Sequence, residues 1–300
     1  MMQQIQLIAL ILVGALVMGG AIVFFTSAQD DDDVMDITVT LAWQKEMVEW
    51  IGGENVKATH MVRPGQDPHV PEGMTPSQVI AAAKSPAYFY IGAGMGWETA
   101  NIPTIESELP DLKMVKMSEG VELITGDAHI WTSPDNLLIM ANNTKNALIE
   151  IDPANEQDYI NGYNSYALRV FQIKALADEK LEPMAGNDFL VYHSAWKYLA
   201  QDYGINEYSI QPLTTGGSAI ELTVSNIQEF VDWIEAQNAS LTTMFVRPFD
   251  PVNSNTALKD AFESNNIEIV IANPLSLNWL DELETFINAL YVFWEDSNTV

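Results

Sequence analysis

From Glu156 to Leu181 the chain has no proline and one glycine, Gly162, and it reads as a single long helix. A crossover between neighbouring parallel strands needs only about a dozen residues, so this helix is too long to be one. It acts as a spine, and its flanks decide the architecture. Upstream, Ile37–Leu41 alternates as a strand, Trp43–Ile51 has helical spacing closed by Gly52-Gly53, and Val56–Val62 reads as a second strand. Thr75-Pro76-Ser77-Gln78 opens a helix to Lys84, and Ala87–Ile91 is a buried strand.

From Pro134 to about Met184 the pattern is helical, with one break at Asp152-Pro153. Beyond it the alternation resumes. Strands are expected at Phe189–Tyr192, Thr242–Val246 and Ile267–Ile271, and helices at Ala195–Tyr203, Ser225–Gln237, Asn255–Ser264 and Trp279–Trp294. Strands alternating with helices imply βαβ units and mainly parallel sheets. The expected fold class is therefore α/β, with two lobes joined by one long rigid helix. Boundaries follow: 1–35 anchor and acidic tether, 36–153 first lobe, 154–183 linking helix, 184–300 second lobe.

Charge and cysteine content narrow the function. The chain has 41 acidic against 13 basic residues, a formal net charge of −28. A nucleic-acid binder needs a basic face to displace counterions from phosphate, so that class is excluded. There are no cysteines, which removes disulfides and thiolate metal sites; a transition-metal site must use His, Asp, Glu, Asn or water. Ile5–Phe25 is almost unbroken apolar sequence, long enough to span a bilayer, and runs into Asp30–Asp33. Met1–Gln6 has no Lys or Arg, unlike a secretory signal. A retained membrane helix, with the remainder extracytoplasmic, is favoured over cleavage after Ser27-Ala28.

Three of the four histidines adjoin apolar runs: His69 in Asp-Pro-His, His129 in Asp-Ala-His-Ile-Trp and His193 in Val-Tyr-His-Ser. Each alone is an ordinary loop or core histidine. Together, at the ends of separate strand-like segments, they resemble a site assembled by the fold, because ligands collect at the carboxyl ends of strands in open α/β sheets. His60, inside a strand, is structural. Three imidazoles leave a tetrahedral ion one ligand short. Asn273, ending the last strand, is the favoured fourth donor, with Glu72, Glu221 and Asp250 as stand-ins. Gly92-Ala93-Gly94-Met95-Gly96 lacks the dinucleotide fingerprint and is followed by no phosphate-loop lysine, so it reads as a tight strand exit. Three histidines plus water also describe catalytic zinc, and a hydrolase with Glu72 or Glu221 as base is the enzymatic rival.

The order of these stretches resembles the metal-binding substrate-binding proteins of ABC importers, of the zinc/manganese type. The matching runs are Arg63–His69 with Glu72 and Thr75-Pro76-Ser77, Asp127–Pro134, Phe189–Leu199, Glu221–Ile227, Thr243–Pro248 and Asn273-Pro274-Leu275, spanning residues 36–295. The resemblance implies two α/β lobes with metal between them, held by His69 and His129 from the first and His193 from the second. It implies a monomeric, non-catalytic receptor that delivers metal to a permease. The family's fourth ligand is usually a carboxylate before a Pro-Leu pair, where this chain has Asn273. Arg247 stands where a glutamate is common, the histidine-rich loop is missing between Val121 and Ala128, and Ile5–Phe25 takes the place of a lipidated cysteine. Zinc is the expected cargo because the donor set is rich in nitrogen. Manganese, iron or another ligand in the same fold are the alternatives.

Overall fold

The computed structural model describes residues 34–63, 66–211, 222–238 and 240–298. Ile5–Phe25 and Glu221 therefore lie outside the described residues. No helix among the described residues is long and apolar enough to cross a membrane.

The first sheet is built from β1 (Met35–Val39), β2 (Val56–His60), β3 (Ala87–Tyr90) and β4 (Lys113–Lys116), in the order β2-β1-β3-β4 with every pair parallel. Helices α1 (Ala42–Gly52), α2 (Pro76–Lys84) and α3 (Gly96–Glu108) connect these strands. A parallel sheet covered on both faces wants continuous apolar strands. Val39, Ala87, Tyr88 and Phe89 accordingly have no exposed surface. Helix α2 opens with Thr75 and Gln78 in a capping box and Pro76 in the first turn, which satisfies amide groups that a helix start leaves without partners.

Helix α4 (Pro134–Ile151) is capped by Ser133, and α5 (Glu156–Leu181) follows the break at Asp152-Pro153. The second sheet contains β5 (Asp188–Val191), β6 (Asn206–Ser209), β7 (Thr243–Val246) and β8 (Glu268–Ile271), again all parallel, in the order β6-β5-β7-β8. Around it lie α6 (Lys197–Tyr203), α7 (Ile227–Gln237), α8 (Pro251–Ser254), α9 (Thr256–Glu263) and α10 (Trp279–Asn298).

Helix α5 packs on α1, α4 and α10, and so touches elements from both halves. Its one glycine has a physical reason: a Cβ at Gly162 would sit 2.2 Å from the Ile51 carbonyl oxygen. Only glycine lets the two helices approach so closely. One continuous core runs from Val39 and Phe89 through Leu148, Tyr166 and Ile173 to Trp196, Phe245, Trp279 and Phe286. A second cluster, including Leu190, Phe230, Met244 and Phe262, fills the other face of the second sheet.

Three elements depart from the sequence reading. Helix α3 contains Pro103 and almost no amphipathic bias, so neither signal for a helix was present. Strands β4 (Lys-Met-Val-Lys) and β6 (Asn-Glu-Tyr-Ser) are short and carry polar residues, which edge positions in their sheets tolerate.

Candidate metal centre

All three singled-out histidines leave the carboxyl ends of strands: His69 after β2, His129 after β4 and His193 after β5. The fold brings them together. One ring nitrogen from each lies within 4.8 Å of the others, and no carboxylate among the described residues joins the group. The Nε2 of His129 is 3.1 Å from Nε2 of His69 and 3.3 Å from Nε2 of His193. Two nitrogens bound to one tetrahedral zinc at 2.0–2.1 Å are separated by about 3.3 Å.

Hydrogen bonds on the far sides of the rings fix which nitrogens carry protons. Asp127 Oδ1 lies 2.7 Å from His129 Nδ1 and also accepts from the His129 amide at 2.8 Å. A carboxylate only accepts, so His129 Nδ1 bears the proton and Nε2 presents a lone pair. His193 Nδ1 faces Gln211 Oε1, another acceptor, so its Nε2 presents a lone pair too. Two lone pairs then meet at 3.3 Å. That contact is unfavourable unless a cation sits between them.

Burial and neighbouring charge disfavour protonation of His69 and His193. Burial, then the charges of His129 and Arg247 among others, push His69 down to about 4. Burial and the Arg247 guanidinium drive His193 far below the ordinary histidine range. Burial opposes the charge on Asp127, but hydrogen bonds from His129 and its field outweigh burial and hold Asp127 below the usual carboxylate range.

Neighbouring contacts hold the three loops in place. The Trp97 amide donates to the Pro68 carbonyl at 2.8 Å, and a Cβ at Gly96 would lie 2.0 Å from the His69 carbonyl oxygen. The last glycine of Gly92–Gly96 thus lets the backbone of α3 press against the His69 loop. Tyr198 Oη accepts from the Ile124 amide at 2.8 Å and donates to the Asp127 carbonyl at 3.2 Å. Trp131 stacks on Trp43, and its Nε1 donates to the Pro274 carbonyl at 2.7 Å. Glu207 accepts from Ser194 Oγ and the Trp196 amide, steadying the segment after His193.

The histidines line a cavity of about 290 Å³ with Gly94, Asp127, Ser194, Lys197 and Gln211. Asn273 is not among its lining residues. It borders a separate cavity of about 410 Å³ with His60, Arg63 and Phe249, and its Oδ1 accepts from the Leu275 amide at 3.2 Å. Of the other stand-ins, Glu221 lies outside the described residues, and Glu72 and Asp250 are placed elsewhere as well. Glu72 is exposed and accepts from Gln66 at 2.8 Å. Asp250 is buried against Arg247, accepting from its Nε at 2.9 Å and its amide at 2.7 Å. Reasoning from sequence missed Gln211 and Lys197, because neither carries a local pattern and both matter only through what the fold sets beside them.

The family model for the periplasmic component A of the zinc-uptake complex, ZnuA, matches residues 37–291. The chain belongs to this family. Among curated relatives, the iron ABC transporter substrate-binding lipoprotein MtsA of Streptococcus pyogenes is 22% identical over 243 residues, covering 75% of this chain and 78% of the relative. A crystal structure of ZnuA superposes with a TM-score of 0.74 at 23% identity, covering 87% of this chain and 99% of that one. The zinc-bound ZnuA-like domain of AdcA from Streptococcus pneumoniae gives a TM-score of 0.73 at 18% identity, covering 87% and 98%. The ZnuA family comprises solute-binding proteins, and the chain is one of these and not an enzyme. That removes the hydrolase reading; of its two candidate bases, Glu72 stands outside the histidine cavity and Glu221 lies outside the described residues.

Proposed function

We propose that this protein is the extracytoplasmic receptor of a metal ABC importer, holding a divalent transition metal on His69, His129 and His193 and delivering it to a permease. The observation that carries this reading is the pair of inward-facing lone pairs on His129 and His193, each fixed by an acceptor behind its ring. Zinc is the favoured cargo. Three neutral nitrogens suit it, whereas manganese prefers more carboxylate oxygen, and related structures were solved with zinc bound. The iron named for MtsA makes iron the second cargo to test. Asn273, with its oxygen turned to Leu275, is not counted among the ligands. Residues 36–153 and 184–300 are taken as the two lobes, and Ile5–Phe25, on sequence alone, as the membrane tether.

The test is metal content and competition with Zn²⁺, Mn²⁺ and Fe²⁺ offered together to the full-length protein. One tightly held equivalent, lost in His69→Ala and His193→Ala, is expected. Saturating metal at a thousandfold excess over Kd should raise stability by about 4 kcal/mol. Undiminished binding by His193→Ala would refute the site.

A further inference from the structure

We propose that Asp67 and Arg247 form an electrostatic latch between the loop carrying His69 and the second sheet, and that this latch sets how slowly bound metal leaves. It rests on the proposed receptor function and adds to it a pair of positioning residues that donate nothing to the ion.

The anchor is Arg247, which follows the carboxyl end of β7. Its Nε and Nη2 donate to Asp250 Oδ1 at 2.9 and 2.8 Å, and its amide donates to Asp250 Oδ2 at 2.7 Å. The guanidinium also lies 4.5 Å from the ring centre of Phe249, and the residue is almost wholly buried. A cation held on so many sides cannot follow a moving partner. It is a fixed post.

The other end of the latch belongs to the loop after β2. Asp67 Oδ1 accepts from the His69 amide at 3.0 Å, while Oδ2 faces Arg247 Nη2 at 3.9 Å. One carboxylate thus grips the backbone of a metal ligand with one oxygen and is drawn toward the second sheet by the other. His193 leaves β5, the neighbour of β7, and its ring centre is 4.7 Å from that of His69. The pull on Asp67 therefore holds His69 against the ligand from the second sheet. Beside a buried cation this attraction is screened less than one between two exposed charges.

The loop before His129 is tied without charge. Tyr198 Oη, from α6, accepts from the Ile124 amide and donates to the Asp127 carbonyl. Salt weakens an ionic latch and spares a hydroxyl, so the two ties can be told apart in one assay.

The test is zinc release from the loaded full-length protein into excess chromophoric chelator, at about 0.01 and about 1 M sodium chloride. Asp67→Asn keeps an oxygen for the His69 amide and removes the charge. Arg247 stays in place, because its removal would strand the buried Asp250. Release from Asp67→Asn should be about two- to fivefold faster than from the parent at low salt, with the association rate little changed. Salt should speed release from the parent but not from this variant. Tyr198→Phe should also release faster while keeping the parental salt response. Glu72→Gln removes an exposed acid that faces Gln66 instead, and it should release at the parental rate. Parental release in Asp67→Asn, a salt response retained there, or an equal effect of Glu72→Gln would overturn the latch and leave the receptor standing. A protein that holds no metal would sink both.

Discussion

The carboxylate of Asp127 sets the direction of the His129 lone pair, and its removal should cost metal affinity in two separable steps. Asp127 Oδ1 makes two contacts, 2.7 Å to His129 Nδ1 and 2.8 Å from the His129 amide. In Asp127→Asn the amide oxygen can take over both contacts, so ring orientation survives and only the charge is lost. Hydrogen bonds to charged groups contribute about 1.5–3 kcal/mol and neutral ones about 0.5–1.5 kcal/mol, a difference of about 1.4 kcal/mol or roughly tenfold in Kd. In Asp127→Ala the acceptor is gone and the ring can swing, placing the loss near the upper end of the 10–100-fold range seen for such outer partners. Competition titration of both variants against zinc, with thermal melts to confirm folding, gives the comparison. Equal affinities for Asn and Ala would show that charge, not orientation, is what Asp127 contributes. Parental affinity in both would refute the argument that this carboxylate fixes the tautomer.

Two further predictions concern stability and loop packing. Glu46 accepts from the Trp279 amide at 2.8 Å and the Leu280 amide at 3.3 Å, and burial foremost raises it from 4.5 to about 7. A raised folded-state value favours protonation in the fold, so this contribution is complete below pH 4.5 and is lost as pH rises through about 7, amounting to roughly 3 kcal/mol at 1.36 kcal/mol per unit. Glu46→Gln should therefore gain stability over the parent in denaturant melts at pH 8 but not at pH 4.5; a pH-independent difference would contradict this. Gly96→Ala should destabilise by about 1–3 kcal/mol and weaken zinc binding by displacing His69, whose carbonyl oxygen lies 2.0 Å from the new Cβ; unchanged affinity would show that the loop can yield.

Much of this architecture is legible in the chain because parallel strands buried on both faces leave continuous apolar runs. Ala87-Tyr88-Phe89 and Phe189-Leu190-Val191 are read correctly for that reason, and α5 because nothing interrupts it but Gly162. Two short edge strands lack the signal: β4 is bounded by lysines and β6 is polar, whereas the edge strands β2 and β8 keep enough apolar residues to be read. The three histidines are visible as strand-end residues, which is a statement about topology. What surrounds them is not visible. Gln211 reaches His193 across the gap from β6 to β5, and nothing in its neighbours marks it. The position of Asn273 before Pro274-Leu275 is plain, but its turn toward the Leu275 amide depends on backbone geometry that residue type alone does not dictate.

On the proposed reading, the sparing use of carboxylates at the site explains how a chain of net charge −28 selects its cargo. So acidic a surface draws in every cation, and calcium and magnesium gain as much from that field as zinc does. Long-range attraction therefore carries no selectivity, which must come from the donors at the site. Hard cations need six or more oxygens at short range, and among the described residues the histidine cavity offers one carboxylate, already engaged with His129. The buried Arg247 is paired with Asp250 and lies 3.9 Å from Asp67, so these carboxylates are engaged with the guanidinium. An ion gains by entering chiefly through its affinity for imidazole nitrogen. A neutral Asn273 on a separate cavity and a cationic Arg247 held by Asp250 add no oxygen donor to the three histidines, which favours nitrogen-seeking metals.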